Sequence, residues 1–242
     1  MQQQFTPLQP KIVLGIAAHP DDLDFCAGGT MAAFAAQGAE VYYLILTDGS
    51  RGSEDRAMTA DRLRDIRREE QRNAAKILGA KDVFFRDYTD GTLENTQDVK
   101  RDVVQVIRKV KPDVVITLDP TFIYSAKNNS INHPDHRAAG QAALDALFPL
   151  ARDHMAFPEL LAQGYEPHKT PHVLLTCFSN EDTTFSVDIT STYDLKLQAI
   201  AAHASQYTNE SNLRALVQQL AEEAGKTCGT QYAEAFVRLD IQ

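Results

Sequence analysis

Four apolar runs alternate with helix-like segments across the first half of this chain, and that alternation leaves few folds open to it. Lys11-Ile-Val-Leu-Gly-Ile-Ala17 and Glu40-Val-Tyr-Tyr-Leu-Ile-Leu46 read as buried strands, because short unbroken apolar runs rich in branched residues suit a sheet covered on both faces. Asp82 to Phe85 and Asp113 to Leu118 supply a third and a fourth. Between them, Thr30 to Gln37 are good helix formers ending near Gly38. Leu63, Ile66, Ala74, Ile77 and Leu78 recur at helical spacing until Gly79, and Val99, Val103, Val104, Ile107 and Val110 do so until Pro112. Strand and helix taking turns in this way predict right-handed βαβ units, hence an α/β fold with a mostly parallel sheet and helices on both faces.

The second half is less regular. Arg137 to Leu147 is Ala-rich and helical, whereas residues 152–172 contain three prolines and read as an irregular insertion. His172 to Phe178 and Thr184 to Ile189 are strand candidates, Tyr193 to His203 and the Leu213 to Leu220 region are helices, and alternating Ala235, Val237, Leu239 and Ile241 predict a closing strand. With 242 residues, no repeat and no linker, one domain over 1–242 is the simplest expectation. Cys26, Cys177 and Cys228 are odd in number and widely spaced, which argues against a disulfide framework and suits a cytoplasmic protein. Neither a membrane span nor an export signal is expected, because the first apolar run is short and lacks a basic leader. A net charge of -9 disfavours nucleic acid as a partner.

Two chemically similar clusters stand out against this background, His19-Pro20-Asp21-Asp22 after the first strand and His133-Pro134-Asp135-His136 after the fourth. In open parallel sheets, ligands bind outside the carboxyl ends of the strands where the strand order reverses. If the chain runs outward through strands two and three and returns with strand four beside strand one, both clusters reach one crevice. A turn tightened by Pro20 aims His19 and Asp22 at one ion and points Asp21 elsewhere. In the second cluster Pro134 suits a first helical turn, and one of His133 and His136 can ligate while the other stays free. Two imidazoles and a carboxylate with an open fourth position match a catalytic zinc, which lowers the pKa of its water to about 7. A spare carboxylate and a spare imidazole would then serve as proton acceptor and oxyanion stabiliser or proton donor. A lone His-Pro-Asp is more simply a helix cap. Two of them, each following a buried strand, favour the metal.

Ala18-His-Pro-Asp-Asp22 with Gly28-Gly29-Thr30 and His133-Pro-Asp-His136 resembles the PIG-L/LmbE family of zinc-dependent de-N-acetylases. Leu46-Thr-Asp-Gly-Ser50, Ile66-Arg-Arg-Glu-Glu70, Lys111-Pro-Asp-Val-Val-Ile116 and His203-Ala-Ser-Gln206 fall in that family's order, so the resemblance runs from about residue 11 to 207. It implies a Rossmann-like three-layer fold and removal of an acyl group from amino sugars or their conjugates. Carried over by position, it implies zinc ligands His19, Asp22 and His136, general base Asp21, an oxyanion-stabilising or proton-donating His133, and Arg67 as a substrate-binding residue. Where some relatives carry an aromatic residue two positions before the second cluster, this chain has Ile131, and Tyr124 on the same loop is the substitute candidate for substrate binding.

The expected partner is a small amino-sugar-type molecule, with the Pro-containing insertion a candidate interface between copies of the chain. Gly28 and Gly29 admit turn geometry or close approach to substrate, and no GxGxxG follows strand one, so a dinucleotide cofactor is not expected. His154, His168 and His172 lack ligand spacing and read as surface or structural. Two alternatives stand beside the amino-sugar deacetylase: a zinc amidase acting on a thiol conjugate or non-sugar amide, and a metal-dependent carbohydrate-binding protein without turnover.

Overall fold

Strand β1 (Ile12–Ala17) lies at the centre of the sheet, flanked by β2 (Glu40–Thr47) and, across a reversal of strand order, by a strand more than sixty residues further on. The structure is a computed structural model and describes residues 7–126, 129–176, 183–207 and 210–241. In chain order, β1 leads into α1 (Asp22–Ala36), β2, α2 (Ala60–Ile77), β3 (Asp82–Tyr88), α3 (Gln97–Val110) and β4 (Val114–Leu118). A two-stranded hairpin, β5 (Tyr124–Ser125) with β6 (Ser130–Ile131), precedes α4 (Pro134–Asp145). After an irregular turn at Ala146–Leu150 come α5 (Pro158–Ala162), β7 (His172–Thr176), β8 (Phe185–Asp188), α6 (Tyr193–Ala201), α7 (Glu210–Cys228) and β9 (Ala233–Asp240).

The seven-stranded sheet has the order β3-β2-β1-β4-β7-β9-β8. The pairs from β3 through β7 are parallel, and β9 runs antiparallel to both its neighbours. Side chains alternate across it as a pleated sheet requires. Leu14, Ile16, Leu44 and Leu46 face α3 and α4, where Val103, Val104, Ile107, Ala139 and Ala143 close one core. Val13, Ala17, Tyr43 and Ile45 face α1 and α2, meeting Leu23, Ala27, Met31, Ala74 and Ala75. Each large apolar side chain so buried contributes about 1.5–3 kcal/mol. Helix α1 is buried over most of its length because α6 covers its outer side, and Ile189, Tyr193 and Ile200 join Val217 of α7 in a third cluster.

The expected α/β architecture and the return of β4 beside β1 are both present. Several boundaries differ. α1 begins eight residues before Thr30, directly on Asp22, and β3 extends past Phe85 to Tyr88. α4 starts at Pro134 rather than Arg137. Of the strand expected over His172 to Phe178, Cys177 and Phe178 lie outside the described residues. The insertion holds one short helix, α5, and the buried guanidinium of Arg108 organises its start by donating to the carbonyls of Leu150, Ala151, Asp153 and Ala156. His168 bonds the Pro112 carbonyl and His172 bonds Asp240, as structural residues do. Gly28 and Gly29 lie inside α1, where a Cβ on Gly29 would stand 2.8 Å from the Ile189 side chain. Gly29 thus serves helix packing, whereas a Cβ on Gly28 would make only ordinary contacts with Leu78 and Lys196, and neither glycine lies in a turn. No described helix is long and apolar enough to cross a membrane.

Candidate active site

The carboxyl ends of β1 and β4 bring the two His-Pro-Asp clusters face to face, with the His19 and His133 rings edge to face at 4.7 Å and those of His19 and His136 at 5.3 Å. Asp22 joins them. Its Oδ2 accepts the backbone N–H groups of Ala18 (3.1 Å) and His19 (2.8 Å) and lies 3.6 Å from His19 Nδ1, while its Oδ1 lies 3.1 Å from His136 Nε2. The backbone bonds fix this carboxylate between two imidazoles contributed from opposite sides of the strand-order reversal.

The far ring nitrogens are also held. His19 Nε2 sits 3.2 Å from Asp90 Oδ1 and 3.2 Å from Asp135 Oδ2, and His136 Nδ1 sits 3.0 Å from Asn132 Oδ1. Acceptors at those positions hold the outward ring protons, so that once the inward protons are lost His19 Nδ1 and His136 Nε2 face Asp22 as bare nitrogens, the arrangement in which imidazoles ligate a metal. Asp135 in turn accepts the N–H groups of Gly91 and Leu93, and Asp90 that of Arg51, so both carboxylates also tie down the loop after β3.

Charge favours a cation here. Burial opposes a charge on His19, but Asp22, Asp135 and Asp90 outweigh it and push its pKa up to about 12. Asp22, although buried, is held well below the ordinary carboxylate range by His136 and His19, and His136 is raised by Asp22 against the effect of burial. Among the described residues, two sets of three donor atoms lie within 4.8 Å of one another, His19 with His133 and His136, and His19 with Asp90 and Asp135. The second set is committed to backbone and to orienting His19. Asp22 adds a carboxylate beside the first set, 3.6 Å from His19 Nδ1 and 3.1 Å from His136 Nε2, so the residues present fit a metal ion of the kind bound by nitrogen and carboxylate.

His133 is set apart by its backbone role. It caps α4, its Nδ1 accepting the Asp135 N–H at 3.2 Å, which leaves the proton of the neutral ring on Nε2. Burial, and then the neighbouring His19, lower its pKa. The simple helix-cap explanation of the aspartates does not hold. Asp21 makes no side-chain cap bond, and Asp135 bonds the β3 loop instead of its own helix.

Asp21 faces Arg67, its Oδ1 lying 3.4 Å from Nη2. Its backbone is left-handed at φ 98°, a conformation that costs a non-glycine residue about 1–3 kcal/mol and persists only where its surroundings impose it. Burial lifts its pKa to about 6, against the pull of Arg67. Arg67 is not a solvated helix charge. It is buried, donates to the carbonyls of Pro20 (2.8 Å), Gly49 and Arg51 (both 3.3 Å), and faces Asp21 at 3.4 Å and Asp90 at 3.6 Å. Tyr124 is exposed and pairs in register with Ile131, so the aromatic ring absent at 131 lies directly across the hairpin. That hairpin is tied to the site through Asn132, which bonds the Ile123 and Phe122 carbonyls.

Asp90, Asn132, Gln71, Asp24 and His203 belong to this constellation and were not singled out as site residues from sequence. Asp90-Gly91 at the carboxyl end of β3 carried a usable signal, since that rim was already the expected site. Of the others, His203 opens the His203-Ala-Ser-Gln206 segment of the resemblance, whereas Asn132, Gln71 and Asp24 act from helix interiors or loops where no short motif gives them a role.

A family model described as GlcNAc-PI de-N-acetylase, PIG-L, matches residues 14–147. The chain is 34% identical over 226 residues to the diacetylchitobiose deacetylase of Thermococcus kodakarensis, covering 93% of this chain and 81% of that one. It is 31% identical over 201 residues to the 4-oxalmesaconate hydratase of Pseudomonas putida, covering 81% and 74%. Among solved structures, N,N'-diacetylchitobiose deacetylase from Pyrococcus horikoshii superposes with a TM-score of 0.87 at 30% identity, covering 96% of this chain and 84% of that one.

Proposed function

This chain belongs to the PIG-L family, and we propose that it is a zinc-dependent N-deacetylase that removes an N-acyl group, acetyl in the first instance, from an amino sugar or its conjugate. The observation that carries this proposal is Asp22 lying between His19 and His136, with Asp21 held beside Arg67 on a left-handed backbone. His19 through Nδ1, Asp22, and His136 through Nε2 would hold the ion. When bound, zinc polarises an amide carbonyl and lowers the pKa of a water molecule to about 7.

The chain's own groups do the rest. Asp21, with a pKa lifted to about 6, is ionised at neutral pH and still basic enough to accept a proton at its carboxylate. His133 is neutral, because its Nδ1 is occupied by the α4 cap and its pKa is lowered. It therefore offers Nε2–H to a developing oxyanion, and of the two roles expected for it we favour this one over proton donation. Arg67 braces the Pro20 carbonyl and the loop after β2, and any contact it makes with substrate is secondary to that bracing. Tyr124, exposed on the hairpin next to Asn132, would meet the leaving-group side of the substrate. A pure sugar binder would need the ligands but neither a base nor an oxyanion donor, so a role without turnover leaves Asp21 and His133 unexplained.

The hydratase relative sets the sharpest competing activity, water addition in place of amide hydrolysis. Zinc-loaded protein should be assayed against N-acetylglucosamine, diacetylchitobiose, N-acetylglucosaminyl conjugates, a thiol-conjugate amide and 4-oxalmesaconate. Acetate release from the sugar amides is expected. Turnover of 4-oxalmesaconate alone would move the chain to the hydratase side of its family.

A further inference from the structure

Asp21 does not hold its own conformation. It stands at the N-terminus of α1 without a side-chain cap bond, in a left-handed conformation, and its backbone N–H donates to Gln71 Oε1 at 3.0 Å. The Gln71 amide could turn over and present its NH2 group to that N–H, which would set donor against donor. Asp24 forbids this. Its Oδ2 accepts Gln71 Nε2 at 2.8 Å and His203 Nε2 at 2.8 Å, and its Oδ1 accepts the Tyr43 hydroxyl at 2.9 Å. A carboxylate only accepts, so it dictates which end of the glutamine faces Asp21.

We propose that Gln71, Asp24 and His203 are positioning residues that hold the Asp21 backbone, and so aim its carboxylate, through the bonds His203 to Asp24 to Gln71 to Asp21. The assignment of purpose rests on Asp21 being the base, as above; the chain of bonds does not. Asp24 and His203 are fully buried and Gln71 is nearly so. Four parts of the fold meet at this point: α1, β2, α2 and the segment after α6. That last segment is pinned to α2 as well, since Ser205 donates its backbone N–H and its hydroxyl to Glu70. His203 Nδ1 has no hydrogen-bond partner among the described residues, so His203 enters the network through Nε2 alone. Apolar residues would give such a core equal or better cohesion. What the polar set adds is a unique orientation for one glutamine amide, delivered to the left-handed backbone of Asp21.

The test compares Gln71→Leu, which removes the acceptor, with Gln71→Glu, which retains one for the Asp21 N–H. Hydrogen exchange of the Asp21 amide, bound zinc, kcat and KM are read on each. In Gln71→Leu the Asp21 amide should exchange at least about tenfold faster and kcat should fall about 10- to 100-fold, with KM within about threefold and zinc content unchanged. Gln71→Glu should recover part of both the protection and the kcat. If the leucine variant does not fold, His203→Ala against His203→Gln repeats the comparison, because glutamine keeps a donor at the position of Nε2. Parental exchange of the Asp21 amide in Gln71→Leu or, where that protein does not fold, in His203→Ala, or equal losses in the two members of a pair, would overturn the proposal. If the parent protein releases no acetate, the proposed activity fails while the exchange measurement still decides the positioning.

Discussion

At the level of single residues, the site is a set of groups whose partners leave each one role. His19 and His136 each have the outward ring nitrogen taken by an acceptor, and His133 has its inward one taken by a helix cap. On the proposed function, three similar imidazoles would divide into two ligands and one donor. Replacing Asp21 with Asn should leave folding and zinc content intact and lower kcat by about two to four orders of magnitude, the scale of a positioned base. Metal analysis beside steady-state kinetics checks this, and zinc loss would make Asp21 a ligand. Arg67→Ala should lower activity on every sugar amide to a similar degree, because the donors it loses serve the Pro20, Gly49 and Arg51 carbonyls. Selective loss on one substrate, seen in kcat/KM across a panel, would instead make Arg67 a substrate fork. The two His-Pro-Asp clusters were legible in the sequence because strong ligands sat at strand ends with short spacing. The burial of Arg67 was not, since a helix rich in Arg and Glu reads as solvent-facing until the loops that cover it are known.

At the level of elements, the site depends on how closely α4 lies against β4. A Cβ at Gly140 would stand 2.3 Å from the Leu118 backbone oxygen, a contact that side-chain rotation cannot relieve. Gly140→Ala should therefore force α4 outward, lowering stability by about 1–3 kcal/mol and weakening zinc binding, because His136 lies on the first turn of the same helix. Denaturant midpoints and zinc titration measure the two effects. A stability loss with parental zinc affinity would show that the first turn is held independently of the rest of α4. The strands and most helices were legible from periodicity, since each has one face committed to a core. The continuation of α1 back to Asp22 was not. Its apolar residues lie all round because α6 covers it, and a helix buried on all sides has no amphipathic signal.

For the whole molecule, we treat the chain as one domain whose stability is linked to the metal, and thermal unfolding in a single transition is expected. In metal-free protein the folded state holds a proton on His19, with its pKa near 12 against an ordinary 6.5. That contribution is fully present below about pH 6.5 and is lost as pH rises through the folded value, so metal-free stability should fall with pH over the intervening range. His136, also raised, adds in the same direction above its ordinary value. Zinc takes the place of these protons, so the loaded protein should gain stability over the metal-free form as pH rises from 6.5 to 9, measured by Tm in a buffer series. A constant gap between the two forms would show that the ion does not compete with the His19 and His136 protons. The central claim is that an ion held between these two clusters is needed to release acetate from an amino sugar. Titrating zinc into chelated protein while recording acetate from diacetylchitobiose tests it most directly. Activity should rise from near zero and level off at about one equivalent, as three ligands and an open position require. Full acetate release without metal, or none at any zinc level, would contradict it.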